Sequence, residues 1–393
     1  MPDATPVSAT DAAVPSGQRL RLAFIADPRS VHTQRWIAWF AGRGHDVHLL
    51  DPFDAPTDGL PTGVTVDRYR AHPGRIPVVS MLAGRRELRA LLRRLAPDVL
   101  HAHFVRRFGW QAALSGFHPL AVSPWGSDIL RAPSRAVRTR WWNRFTLRSA
   151  DLVTVSSEGM RAASLRAGAR AERIQLIHHG VDTVAFAPGP PDIALTERLA
   201  IGDAAVILSP RSIRPLYHQV TVVDAVAAVA ARGRRMVLVM SARGADPAEL
   251  VLVRRRAAEA GIGDDLRILD DVAHDALPAL LRLADVVVSV PETDSFPVTL
   301  LEAMACGRPI VASDLPAVTP VLLDIDPATE ALLAPVGDVA ATAKAIERAL
   351  AMDPDARREM GDRLRAHVVQ TADYEANMAR MEHLYRRLAA GRR

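Results

Sequence analysis

Two carboxylates, Asp294 and Glu302, stand about two helical turns apart in the stretch DSFPVTLLEAMACGRPIVAS, Asp294 to Ser313. From Val298 the run is almost wholly apolar, stops at Gly307 and passes at once into a β-branched run, a helix followed by a strand. Glu302 falls on that apolar helix. An unpaired buried carboxylate is costly, so something polar must face it. Two capping acids on a core helix would explain Asp294 easily and Glu302 badly.

Other spacings that could do chemistry fall short. GIGDD, Gly261 to Asp265, mimics the start of a dinucleotide fingerprint, but it follows a helix and lacks the third glycine. His101 and His103 alternate on a strand-like run with no third ligand in sight. DID, Asp324 to Asp326, falls late in the chain within a loop. No metal is therefore expected. Lys344 is the only lysine and every other side-chain cation apart from histidine is arginine, which reflects genomic base composition. Any phosphate site must then be built from arginine, histidine or backbone amides.

At 393 residues the chain is too long for one ordinary core, and nearly half of it is apolar. Its net charge of +5 is small and mixed with acids, which argues against nucleic acid as a partner. The single cysteine, Cys306, excludes a disulfide framework and suits a reducing cytoplasm. No segment approaches the roughly 18 to 20 uninterrupted apolar residues of a membrane-spanning helix. The opening MPDATPVSATDAAVPSGQ has neither a basic nor an apolar leader region and reads as a disordered tail, 1–18, with structure from about Arg19.

The elements that must position these groups alternate. LRLAFIADP, HDVHLLDP, DVLHAHF, PLAVSPWGSD, ADLVTVSS and AERIQLIHHG read as strands, with helices between the earlier ones, such as SVHTQRWIAWFAGRG, stopped by Gly44. Such βαβ units imply a parallel sheet. The proline-rich FAPGPPDIALTERLAIGD breaks the rhythm and reads as a linker. A second series of strands follows, from AVILSPRS through RMVLVMSA, LRILDDV and DVVVSVPE to RPIVAS. The expectation is two doubly wound, Rossmann-like α/β domains facing a central cleft, with ligands beyond the carboxyl ends of the strands. The boundaries expected are 19–187, a linker 188–204, a second domain 205–370, and a C-terminal helix, 371–393, crossing back toward the first domain.

Tandem domains of this kind with LLEAMACGRPIVAS resemble the family 4 glycosyltransferases of the GT-B fold, over most of the chain from Arg19. IHHGVDTVAFAP (Ile177 to Pro188), GHDVHLL and APVGDVAATAKAI add to the likeness. The resemblance implies a retaining, metal-independent transfer of a sugar from a nucleotide diphosphate to an acceptor hydroxyl, with no cofactor beyond that co-substrate. It implies that Glu302 holds the ribose hydroxyls, and that Asp294, Ser295, Phe296 and Pro297 meet the donor sugar. A carboxylate can accept from two vicinal hydroxyls, and amides at a helix start suit an anion. Asp294 stands where the family usually has Glu. In SPRSIRPLYHQ, Ser209 to Gln219, Arg211 matches an arginine that faces the diphosphate. Leu216 stands where the family has a lysine, so Arg211 and Arg214 are expected to share the phosphates, with His218 beside them; an ordinary solvated charge is the alternative for Arg214. Base recognition is expected from backbone near Asp270 to His274.

In the first domain, SPWGSDIL ends a strand. Trp125 stands where many relatives carry histidine, so Trp125, Gly126 and Asp128 are candidates for the acceptor side; proton handling passes to Asp128 or to the donor phosphate, and Trp125 equally well packs the sheet end. In DPRSVHTQRW, His32 and Arg29 are acceptor candidates, and Ser30 or Thr33 a helix cap. The acid-free segment Arg131 to Arg148, with Trp141, Trp142 and Phe145 among its arginines, could lie on an anionic membrane or grip an acidic acceptor, or be a solvated helix face. The acceptor is left open between a secondary metabolite, a lipid and a glycan. A non-catalytic nucleotide-sugar-binding homologue and a GT-B epimerase are the alternatives.

Overall fold

The computed structural model describes residues 17–57, 59–69, 77–130, 137–270 and 272–391. The chain divides into two compact units. One takes in the chain up to Val155, then Arg161–Leu176 and Met378–Arg393; the other is Ser156–Met160 with Ile177–Asn377.

The first unit is a seven-stranded, all-parallel sheet. In chain order it runs β1 (Arg21–Ile25), α1 (Val31–Gly42), β2 (Asp46–Asp51), β3 (Val64–Arg68), α2 (Pro77–Leu95) and β4 (Val99–His103). It continues α3 (Trp110–Ser115), β5 (Leu120–Ser123), α4 (Val137–Ser149), β6 (Leu152–Val155), α5 (Glu158–Ala167) and β7 (Ile174–Leu176). The strand order is β3-β2-β1-β4-β5-β6-β7. Strands β4, β5 and β6 are buried at every residue, the mark of a parallel sheet covered on both faces. The strand β3, absent from the sequence reading, is the edge and is half-exposed, so it carries no apolar run.

The second unit adds α6 (Ile193–Arg198), β8 (Ala205–Ser212), α7 (Gln219–Ala230), β9 (Met236–Ser241), α8 (Pro247–Glu259) and β10 (Leu266–Leu269). Then come α9 (Leu277–Leu283), β11 (Val286–Ser289), α10 (Val298–Ala305), β12 (Ile310–Ser313), α11 (Thr319–Ile325) and β13 (Leu333–Ala334). Helices α12 (Val339–Leu350), α13 (Pro354–Thr371) and α14 (Tyr374–Ala390) close the chain. This sheet is also all-parallel, in the order β10-β9-β8-β11-β12-β13.

Boundaries differ from the sequence expectation. The expected linker, 188–204, contains α6, capped by Asp192, whose Oδ1 accepts from the Leu195 amide at 3.0 Å. Leu195, Leu199 and Ile201 are buried in the second core, so this stretch is packed structure rather than tether. Ile177 to Pro188 also belongs to the second unit: Val181 and Phe186 enter its core, and Val181 bridges Asp373. The expected tail, 1–18, lies almost wholly outside the described residues. Among the described residues no helix is long and apolar enough to cross a membrane.

Candidate functional site

The strand β8 ends in an irregularity between Ser209 and Ser212 that turns Arg211 off the regular ladder. Gln219, fully buried in the first turn of α7, braces it: Ser209 Oγ donates to Gln219 Oε1 at 2.8 Å, and Gln219 Nε2 donates to the Arg211 carbonyl at 2.9 Å. Arg211 thus reaches the loop ahead of α10. Its Nη2 donates to Asp294 Oδ2 at 2.7 Å and its Nη1 to Thr299 Oγ1 at 3.1 Å. The guanidinium carbon lies 4.3 Å from the centroid of the Tyr217 ring. Both side chains of the ion pair keep 13 % exposure.

The second acid has its polar partner within the protein. Glu302 is 3 % exposed in α10, and His274 Nε2 lies 3.0 Å from its Oε1. The imidazole in turn meets the Phe186 ring edge-on at 5.4 Å. Helix α10 is held in place at its far end. Gly307, at φ 67°, approaches Gly361 of α13 so closely that a Cβ at Gly361 would lie 2.5 Å from the Gly307 carbonyl oxygen. Arg365 Nη1 donates to the Ala305 carbonyl at 2.6 Å.

Between the two acids, Ser295 donates its amide to Asp294 Oδ1 at 2.7 Å. Phe296 is buried and holds φ 76°, a conformation that costs a non-glycine residue on the order of 1 kcal/mol or more and marks a loop over-determined by its surroundings. Pro297 stands at the N-cap of α10 and offers no capping side-chain oxygen. Asp294, Ser295, Phe296 and Pro297 therefore form one turn leading into the helix that carries Glu302.

Arg214 goes elsewhere. It is exposed, and its Nε donates to the Gly244 carbonyl at 2.6 Å, in the loop after β9. His218 sits at φ 48° at the start of α7, its ring facing Gly337. Leu216, at the lysine spacing, ties its carbonyl to the Glu292 amide at 2.9 Å and so links the two loops through backbone. Asp326 of the DID run is structural, capping the turn at Ala328 and accepting from Arg363 at 2.8 Å. Among the described residues no group of three or more histidine, cysteine or acidic side chains is placed to hold a metal.

In the first unit Trp125 meets His32 edge-on at 5.8 Å and His103 at 4.6 Å. Asp128 is 1 % exposed, and its oxygens accept from the amides of Val105 (2.7 Å), Trp125 (3.1 Å) and Gly126 (3.0 Å). Burial pushes its carboxyl up despite those amide bonds. A carboxylate so enclosed holds the loop together and is poorly placed to carry protons to solvent. Ser30 caps α1 through the Thr33 amide at 3.4 Å, and Arg29 pairs with Asp27 at 2.9 Å, which lowers the Asp27 carboxyl. On α4, Val137 and Trp141 are exposed among Arg138, Arg140, Arg144 and Arg148, with Trp141 stacked on Phe145; residues 131–136 lie outside the described residues.

Four residues of this geometry were invisible to motif reading. Thr299, Tyr217 and Gln219 are common residue types in ordinary helical or loop contexts. His274 lay within the stretch expected to meet a base through its backbone, and its side chain gave no sign of reaching Glu302.

Comparison with known proteins places these units. Residues 21–157 match the family model described as glycosyl transferase 4-like, and residues 194–367 match glycosyl transferases group 1. A D-inositol 3-phosphate glycosyltransferase of Jonesia denitrificans is 25% identical over 247 residues, 56% of this chain and 57% of that protein. Its counterpart in Saccharomonospora viridis is 32% identical over 205 residues, 50% of this chain and 46% of that one. The chain thus spans about half the length of the curated relatives it matches. Among solved structures, a sucrose-phosphate synthase from Thermosynechococcus elongatus superposes with TM-score 0.77 at 22% identity, covering 95% of this chain and 100% of that one. Anabaena HepE in complex with UDP-glucose superposes with TM-score 0.74 at 18% identity, covering 93% and 99%. Two family models in tandem, one on each parallel sheet, agree with the motif that runs from Asp294 to Ser313, and the chain belongs to the family 4 glycosyltransferases, with the GT-B fold.

Proposed function

We propose that this protein transfers a sugar from a nucleotide-diphosphate donor to an acceptor hydroxyl, retaining anomeric configuration and using no metal. The observation that carries the reading is the cluster ahead of α10, where Arg211 meets Asp294 and Thr299 while Glu302 waits two turns on. A guanidinium has five N–H donors, and Asp294 and Thr299 take two of them. The rest suit the oxygens of a leaving diphosphate, whose charge grows as the glycosidic bond breaks. Glu302 would accept from the ribose hydroxyls, and Asp294 with the amides behind it would orient the donor sugar.

With Asp128 enclosed, the reading gives proton acceptance to the departing phosphate, as a front-face retaining displacement allows. The acceptor is a secondary metabolite, a lipid or a glycan. Exposed Val137 and Trp141 among the α4 arginines suit a peripheral contact with an anionic lipid surface. That contact would appear as sedimentation with vesicles containing phosphatidylglycerol and not with phosphatidylcholine alone, lost in Trp141→Ser. A cytoplasmic location suits Cys306, a buried thiol pushed up to about 11 by burial.

A thermal-shift screen with UDP, GDP, dTDP, ADP and CDP, without metal, tests the donor site. A nucleotide at 100 times its dissociation constant adds about 2.7 kcal/mol of stability, an effect that Glu302→Ala abolishes on this reading. Proton NMR of the product's anomeric coupling then tests retention. Binding of a nucleotide sugar with neither transfer nor hydrolysis would instead favour the non-catalytic homologue, and its conversion to a different sugar the epimerase.

A further inference from the structure

Among the described residues, the nearly buried Glu302 carboxylate is paired with one nitrogen of the His274 imidazole, and that pairing carries a consequence for selectivity. We infer that His274 is a positioning residue for Glu302, and that through this bond it sets how strongly the site prefers a ribonucleotide to its 2′-deoxy form. The inference rests on the nucleotide-donor reading above.

A carboxylate only accepts, so the nitrogen facing it, His274 Nε2, carries the proton, and the contact at 3.0 Å is a donated bond to Oε1. One oxygen is thereby held. A side chain on an apolar helix otherwise has rotamer freedom, and a carboxylate that is free to turn cannot hold two acceptor positions toward a pair of vicinal hydroxyls. With Oε1 fixed, Oε2 and the second lone pair of Oε1 face a constant direction. The imidazole has its own brace, since Phe186 meets it edge-on at 5.4 Å and Phe186 is buried at 1 % exposure. His274 itself is 39 % exposed at its side chain, against 4 % for Glu302, so the pair runs from solvent to helix. A residue that served only to neutralise a buried acid would not need that outward position.

The bond predicts a differential effect. Loss of the 2′-hydroxyl removes a donor to a fixed charged acceptor, and that loss matters only while the acceptor is held in place. The test is calorimetric titration of wild type, His274→Ala, His274→Asn and His274→Gln with four pairs: UDP and dUDP, GDP and dGDP, ADP and dADP, CDP and dCDP. Wild type is expected to prefer the ribonucleotide of its base by about tenfold or more, the size of one charge-assisted hydrogen bond. In His274→Ala the ratio falls to about threefold or less, while affinity for the deoxy form stays within about twofold of wild type. His274→Asn, whose shorter amide fills the site without reaching Oε1, behaves as the alanine variant does and carries the test if alanine does not fold. The His274→Gln amide can replace the Nε2 donor, and it restores most of the ratio.

A ratio unchanged in folded His274→Ala and His274→Asn, with Glu302→Ala still abolishing it, overturns the positioning role and leaves the donor reading intact. Wild type that binds neither dTDP nor any of the eight nucleotides overturns both, and wild type that binds dTDP alone overturns the ribose preference while leaving the donor reading intact.

Discussion

Both units bury polar side chains around their central strands, and they do so to opposite ends. In the first unit Trp36 Nε1 donates to the Tyr385 hydroxyl at 3.3 Å, and Tyr385 bonds His101 Nδ1. His101 Nε2 lies 2.7 Å from Ser123 Oγ, and Ser123 bonds Thr154 Oγ1. An indole only donates, so the Tyr385 proton goes to Nδ1, the His101 proton sits on Nε2, and the Ser123 proton passes to Thr154. Every link is 4 % exposed or less, so the donors from Trp36 to Ser123 find their acceptors inside the protein. In the second unit the groups form two separate pairs, Arg211 with Asp294 and His274 with Glu302, and each keeps part of its surface open to solvent. The first arrangement spends its hydrogen bonds on fixing α14 against the sheet. The second holds charges in place with bonding capacity to spare, which is what a ligand requires.

If the comparison is right, the largest effect falls on the second unit. Arg211→Ala should lower kcat about 10²–10³-fold, the range seen when one preorganised charge-stabilising donor is removed. It should leave the first unit's unfolding unchanged. That is measurable apart, because all six tryptophans lie between Trp36 and Trp142, in the first unit, and their fluorescence follows it alone. A variant that lost activity and tryptophan-monitored stability together would erase the distinction.

The converse variant is Tyr385→Phe. It strips both Trp36 Nε1 and His101 Nδ1 of their partner in a site without water access, at about 1–3 kcal/mol. Urea denaturation followed by tryptophan fluorescence should show the loss, with nucleotide affinity within about twofold of wild type.

The same network sets a pH dependence. Burial lowers His101 to about 3, so the folded unit keeps it neutral. The unfolded chain takes up that proton near 6.5. The folded value is the depressed one, so the stability is fully present above about pH 6.5 and is lost as pH falls toward 3, by up to about 1.4 kcal/mol per pH unit. Burial lowers His45 as well, with the same sign. Denaturation midpoints at pH 7, 6 and 5 should fall in wild type, and less steeply in His101→Gln. Equal slopes in the two proteins would locate the titrating group elsewhere.

What the chain disclosed in advance, and what it hid, follows the same division. Strands that are buried on both faces are largely continuous apolar runs, so β1, β8 and β11 could be read directly, whereas edge strand β3 and the two-residue β13 have no such run. The acid pair was legible because Glu302 violates the apolar pattern around it. Its partner was not, because a lone histidine after β10 has no period to violate. The packed role of 188–204 was hidden by its prolines, which break a helix rule locally while Leu195 and Leu199 still reach the core. Arg211 stood out in sequence only by its match to the family motif, and whether Arg214 shares its role was left open; the irregular end of β8 and the brace from Gln219 separate the two.

Those two arginines supply the smallest and sharpest effect. Arg214 is exposed and holds the Gly244 carbonyl, a bond that water can replace, whereas Arg211 is held by an acid, a hydroxyl and an aromatic face. Exposed charges of this kind contribute about 1 kcal/mol or less. Arg214→Ala should therefore change kcat/KM by no more than about fivefold, against the hundredfold or more expected for Arg211→Ala. Steady-state kinetics of the two variants side by side decide it. Losses of equal size would mean that Arg214 leaves Gly244 when the donor arrives and that both guanidiniums meet the diphosphate. The β8 irregularity would then matter less than the charge of the whole loop, and the contrast between a rigid cation and a solvated one would have to be redrawn for the liganded site.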